Sequence, residues 1–260
     1  MSAYPAAASD PLAALVELPG VCAAAEKART SIDRLRAHGV LRRRSHQVSV
    51  ESLRRGATAT AALDGLVETE PGVPPVAGMR LYAELAFLVP VWRRAPWQAL
   101  ARMHLLAASG RSPSADLGRP RADAEPEDPL GLGAAPGPAE LSSRLDALGE
   151  LLVRRTTVPA TVLAAVVHGE LLALRPFAVG SGMVARAAAR LTLVERGLDP
   201  KSLSVPEAAH AASPAVYADS ARGYAGGGSD GVARWLVHCA AAVEAGAREG
   251  LAICEALRRG

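Results

Sequence analysis

Aromatic residues make up only 3% of this 260-residue chain, and two of them are phenylalanine. Isoleucine is scarce as well, so the side chains that strands favour are largely missing and a sheet-built fold is not expected. Lysine is nearly absent: Lys27 and Lys201 are the only two, and arginine carries the remaining positive charge. Cysteine occurs three times, at Cys22, Cys239 and Cys254, an odd number in none of the spacings that hold a metal. Their Ala-rich surroundings suit buried free thiols and a reducing compartment. No stretch reaches about 18 uninterrupted apolar residues, so no membrane span is expected. The N-terminus lacks the basic and apolar regions of a secretory signal, and a cytoplasmic location follows as the expectation.

Half of the residues are hydrophobic, mostly Ala, Leu and Val. Ala and Leu are strong helix formers, and a chain this long can bury one sizeable core, so the composition points to an all-α protein. The net charge of +3 is a weak argument for an anionic partner, given the general arginine bias. Arginines do crowd between Arg34 and Arg55, which would suit nucleic acid. No aromatics interleave for base stacking, however, and a solvated connector explains the run as well.

Along the chain, residues 1–10 read as a disordered lead. A helical pattern from Pro11 to about Arg36 is broken at Pro19-Gly20. Residues 49–68 read as a helix capped by Ser49 and ended by Gly65, before a Pro-rich turn at 71–76. Two helices separated near Pro90 or Pro96 fill 77–109. Residues 110–138 form a long Pro-, Gly- and acid-containing loop of the kind that is functional or disordered. Helices are then expected over Ala139–Val153, Pro159–Leu174, Met183–Arg196 and about Gly231–Arg258, with a loop-and-helix region around Tyr217 and Tyr224. The helix ending at Leu174 is apolar nearly all round, as a central buried helix would be.

The most informative stretch runs from His168 to Arg186, HGELLALRPFAVGSGMVAR. A buried helix enters a Pro-Phe turn, and Gly180-Ser181-Gly182 opens directly into the next helix. Glycines there let a ligand approach the backbone, and the amides of the following first turn would favour an anion. The spacing Gly180, Gly182, Ala185 also fits a dinucleotide fingerprint. That fingerprint needs a preceding strand, and here a helix precedes it.

The stretch resembles the motif of the Fic family, H-P-F-x-[DE]-G-N-G-R-x-x-R: Pro176, Phe177, Gly180, Gly182 and Arg186 agree. His168, Leu151–Arg196, Tyr217–Cys239 with Trp235, and Arg119-Pro120-Arg121 resemble further family segments, over about residues 75–245. The resemblance implies an all-α Fic-like domain over 71–260, with a flap inside 110–138 and a helical extension over 1–70. Active members move AMP from ATP to a protein hydroxyl. Here Arg175 stands where the motif has its basic His, and a permanently protonated guanidinium cannot take a proton. Val179 replaces the acidic metal ligand, Ser181 the Asn and Met183 the first Arg. No catalytic residue or metal site is therefore expected. Phe177, Gly180, Ser181, Gly182 and Arg186 remain as candidates to hold a nucleotide or other anion, with ATP or another nucleotide as the ligand and no cofactor fixed.

Upstream, Thr60-Ala61-Ala62-Leu63-Asp64-Gly65 resembles the family's inhibitory motif, [ST]-x-x-x-E-[GN], with Asp for Glu. The resemblance implies a pairing of Asp64 with Arg186. The leading expectation is a pseudoenzyme that regulates or binds a protein partner. A divergent nucleotidyl- or phospho-group transferase using Asp64 or Glu170 as base ranks second, and nucleic-acid binding through the basic N-terminal region third. His168 and His104 are expected to be hydrogen-bonded core residues.

Overall fold

The computed structural model describes residues 10–66 and 76–259; the lead over residues 1–9 and all but the last residue of the Pro-rich turn at 71–76 lie outside them. The described residues form helices and no strand: α1 (Ala13–Val16), α2 (Val21–Arg36), α3 (Leu41–Leu63), α4 (Val76–Arg94), α5 (Pro96–Ala108), α6 (Pro138–Val153), α7 (Ala160–Leu174), α8 (Ser181–Glu195), α9 (Pro206–Ala212), α10 (Pro214–Ala225) and α11 (Ser229–Arg259). Gly20, at φ 79°, separates α1 from α2, as the Pro19-Gly20 break suggested.

One boundary differs from the sequence reading, and another is decided between its two alternatives. α3 begins at Leu41, so Ser49 lies inside the helix and caps nothing. Its hydroxyl instead donates to the Lys201 carbonyl at 2.6 Å. Arginine is a good helix former, and the basic run at 42–44 therefore continues the helix, bending only at Arg44. Pro90 sits inside α4 without ending it. Leu85 and Leu88 before it and Trp92 after it are all buried, so packing outweighs the lost backbone bond. The break falls at Ala95, with Pro96 opening α5.

α7 lies at the centre, packed against α8, α10 and α11. Most of its residues are buried, and the Trp235 indole of α11 donates to its Ala165 carbonyl at 2.8 Å. One apolar cluster gathers α4 to α8 with Tyr217 and Trp235. A second joins Ile32 and Leu35 of α2 to Val243, Ala247 and Ile253 of α11. Between them Arg190 of α8 is buried against Glu207 of α9 at 2.6 Å, and Glu207 accepts from the Tyr82 hydroxyl of α4 at 2.9 Å. The arginine also donates to Ser52 of α3 and to the Ser204 carbonyl. This satisfied polar network fixes α3, α4 and α9 around α8, and so sets the helix whose first turn carries the site.

The basic N-terminal run is partly used within the molecule. Arg36 donates to the Leu198 carbonyl at 3.3 Å, Arg44 to the Leu257 carbonyl, and Arg55 pairs with Glu51 and Glu249.

Candidate functional site

The loop between α7 and α8 begins at Arg175 (φ 43°) and ends at Gly180 (φ 76°), both left-handed. At Gly180 this is what lets the chain turn into α8 without a side-chain clash. Ser181, in the place of the motif's Asn, closes the loop on itself. Its hydroxyl donates to the Phe177 carbonyl at 2.9 Å and accepts from the Phe177 amide at 3.0 Å. Phe177 is buried and stacks on His104, ring centres 3.9 Å apart and planes 6° from parallel. His104 accepts from the Gly118 amide at 2.9 Å, and burial pulls its pKa down to about 4, keeping it a neutral core residue.

The first turn of α8 is occupied by a carboxylate from α3. Asp64 pairs with the Arg186 guanidinium through one oxygen and accepts from the Met183 amide at 3.0 Å through the other. Both side chains are almost sealed, at 1% exposure for Arg186 and 3% for Asp64. Thr60, one turn earlier on α3, takes the Arg186 Nε on its hydroxyl at 2.6 Å and a terminal nitrogen on its carbonyl at 3.0 Å. Gly65, at φ 71°, lets the chain leave α3 immediately after Asp64. The short carboxylate reaches because Gly182 has no side chain: a Cβ there would stand 2.5 Å from Asp64 Oδ1. Thr60, Asp64, Gly182 and Arg186 are thus brought together. Met183 contributes its amide, while its side chain is buried in the core.

Arg186 also donates to the Tyr217 hydroxyl at 3.3 Å, and that hydroxyl lies 2.8 Å from His168 Nε2. Burial opposes the charge on Arg186, yet Asp64 and Tyr217 hold its pKa above the usual range. His168 is held well below its ordinary value, by burial first and then by His210, Arg186 and His238. A neutral His168 accepts a hydrogen bond from the Tyr217 hydroxyl, whose oxygen accepts from Arg186. His210 continues the cluster, 3.1 Å from His238. Tyr217, His168 and His210 thus cluster behind Arg186 from three different helices; the sequence singled out His168 and the Tyr217 segment but not His210.

Arg175 does not face the cradle. Its buried side chain pairs with Asp128 at 2.9 Å and donates to the Gly133 carbonyl at 2.6 Å, both in the 110–138 segment. That segment is an ordered strap laid along the loop. The Arg121 amide donates to the Pro176 carbonyl at 2.8 Å, and the Glu127 amide to the Ala178 carbonyl at 2.9 Å. The Glu127 side chain accepts from the Gly180 amide at 3.2 Å and pairs with Arg111 at 3.1 Å. Val179, half-buried in the loop, has a side chain that offers no oxygen ligand. Asp128, Glu127 and Arg111 carried no sequence signal, because nothing in a low-complexity loop says which residue will meet the motif. Glu170, weighed as an alternative base, is engaged by Arg144 at 3.0 Å and by the Tyr224 hydroxyl at 2.9 Å.

This all-helical arrangement has counterparts of known structure. The chain carries a Fic-like fold. A Fic family protein from Desulfovibrio desulfuricans G20 superposes with a TM-score of 0.65 at 18% identity, covering 90% of this chain and 74% of that one. Residues 134–508 of Fic-1 from C. elegans match with a TM-score of 0.58 at 18% identity, over 90% and 74% of the two chains. A Fic domain containing signaling protein from Bacteroides thetaiotaomicron VPI-5482 matches with a TM-score of 0.56 at 12% identity, over 90% and 97%. No family profile and no curated protein matches by sequence.

Proposed function

We propose that this is a Fic-like domain that no longer transfers AMP and that acts as a regulatory, partner-binding protein with a plugged anion cradle. The observation that carries the reading is the Asp64 carboxylate seated on Arg186 and the Met183 amide, where the first turn of a helix best holds an anion. The substitutions at Arg175 and Val179 support it. The first has become a clamp for the strap, and the second removes the oxygen that a hard cation on nucleotide phosphates requires. Loss of a general base alone removes roughly 10²–10⁴-fold of rate. When Asp64 withdraws, Arg186 and the α8 amides are left to take a nucleotide or another phosphate-bearing anion. The cytoplasm is the compartment we assign, on the strength of the three free thiols; no helix among the described residues is long and apolar enough to cross a membrane.

Calorimetric titration of ATP, with and without magnesium, against the native protein and Asp64→Ala tests this. Binding is expected to strengthen in Asp64→Ala and to gain little from magnesium, with no label passing from radioactive ATP to any protein. Labelling of the protein itself or of lysate proteins would overturn the loss of catalysis. No binding to either form would reduce the cradle to a structural turn.

A further inference from the structure

A cavity of about 470 Å³ opens between α5, α6 and the root of the strap, within the size range of small-molecule sites. Leu100, Leu141, Leu145 and Phe177 form its floor, and Trp97 stands at its side, half-exposed. Asp64, Met183 and Arg186 do not border it, so it is separate from the plugged cradle although Pro176 and Phe177 of the same loop line it.

One charged group enters the cavity part-buried, and that is Arg121. Its Nε donates to the Arg175 carbonyl at 2.8 Å. One terminal nitrogen donates to the Pro136 carbonyl at 2.7 Å and to the Leu174 carbonyl at 3.2 Å. These acceptors are neutral. Among the described residues no carboxylate comes within ion-pair distance of Arg121, and its other terminal nitrogen makes no hydrogen bond. Burial and the neighbouring Arg175 both make the charge on Arg121 harder to hold, and the Glu125 field offsets this only in part. An anion placed there would relieve the imbalance.

The opposite end has the other sign. Asp146 lines the cavity from the exposed edge of α6, about two turns or roughly 12 Å along the axis from Pro138, beside which Arg121 is anchored. Asp146 has no ion-pair partner among the described residues and would repel a second acidic group.

We propose that this cavity binds a small organic monocarboxylate, with its apolar body on Leu100, Leu141, Leu145 and the Trp97 indole and its acidic head on Arg121. The site reads both ends of its ligand: an acid is required at Arg121 and refused at Asp146. This holds whether or not the cradle takes a nucleotide.

Trp97 is the reporter, because it borders the cavity while Trp92 and Trp235 are fully buried elsewhere. Fluorescence excited at 295 nm would be followed as 4-phenylbutyrate, 4-phenylbutan-1-ol and 4-(4-carboxyphenyl)butyrate are titrated in turn. The monocarboxylate is expected to saturate about tenfold or more tighter than the alcohol, the usual worth of a charge-assisted bond, and tighter than the diacid. Ser142→Tyr, an exposed rim position whose change leaves the core untouched, should abolish the response. Arg121→Gln should erase the preference for acid over alcohol. Equal binding of acid and alcohol, unchanged binding in Ser142→Tyr, or no saturation by any of the three would overturn the proposal.

Discussion

Removing the Asp64 carboxylate is the sharpest perturbation of this site. Asp64 and Arg186 are both nearly sealed from water, so their attraction is not appreciably screened. Breaking a buried ion pair from one side costs about 3–5 kcal/mol, because the remaining charge is stranded. Arg186 would keep Thr60 and the Tyr217 hydroxyl, which places the cost of Asp64→Ala near the lower end, about 3 kcal/mol. The Met183 amide loses its acceptor too, worth roughly 1 kcal/mol. Replacing both partners by apolar groups is often close to neutral, so Asp64→Ala with Arg186→Met should recover most of the loss. A ligand at 100 times its Kd adds about 2.7 kcal/mol to the state that binds it. ATP should therefore return most of the stability to Asp64→Ala while leaving the native protein and the double variant nearly unchanged. Urea unfolding of the three proteins, with and without ATP, measures all of these terms. The reasoning fails if Asp64→Ala costs less than about 1 kcal/mol, or if ATP stabilises all three alike.

Gly182→Ala drives a methyl to 2.5 Å from the same carboxylate and 3.2 Å from the Arg186 guanidinium; it should cost about 1–3 kcal/mol in urea unfolding without admitting ATP as Asp64→Ala does, because the methyl stands where an anion would sit, and calorimetry separates the two variants. Arg175→His restores the motif residue but should not restore AMP transfer from labelled ATP, since Val179 and Met183 are unchanged. It should also loosen the strap, which hydrogen exchange at the Arg121 and Glu127 amides would register as faster exchange. Stability should also fall as the solution is acidified below about pH 6.5. His168, His210 and His238 are all depressed by burial, so the unfolded chain binds more protons there and each contributes up to about 1.4 kcal/mol per pH unit down to its folded pKa. A urea midpoint that stays flat between about pH 7 and pH 5 would show that these histidines are not held neutral.

Much of the molecule could be read directly from the residues. The helical class follows from Ala and Leu abundance and aromatic scarcity, and the central role of α7 from its unbroken apolar surface. The glycine turn into α8 and the Asp64–Arg186 pairing came through resemblance to a long motif, and both atoms of that pairing are in contact. What stayed hidden depended on folding over distance. Ser49 looked like a cap because its partner at Lys201 lies far along the chain, and the break could not be fixed at Pro96 rather than Pro90 because burial on both sides of Pro90 is a tertiary fact. Arg175 showed in the sequence only as the replacement of the motif's His. Its ion pair with Asp128 came only from the path of the strap. Local sequence sets which backbone conformations are cheap and which side chains carry charge. Only the packed structure decides which carboxylate each buried arginine meets, because that choice rests on desolvation and on distances between residues that no spacing along the chain encodes.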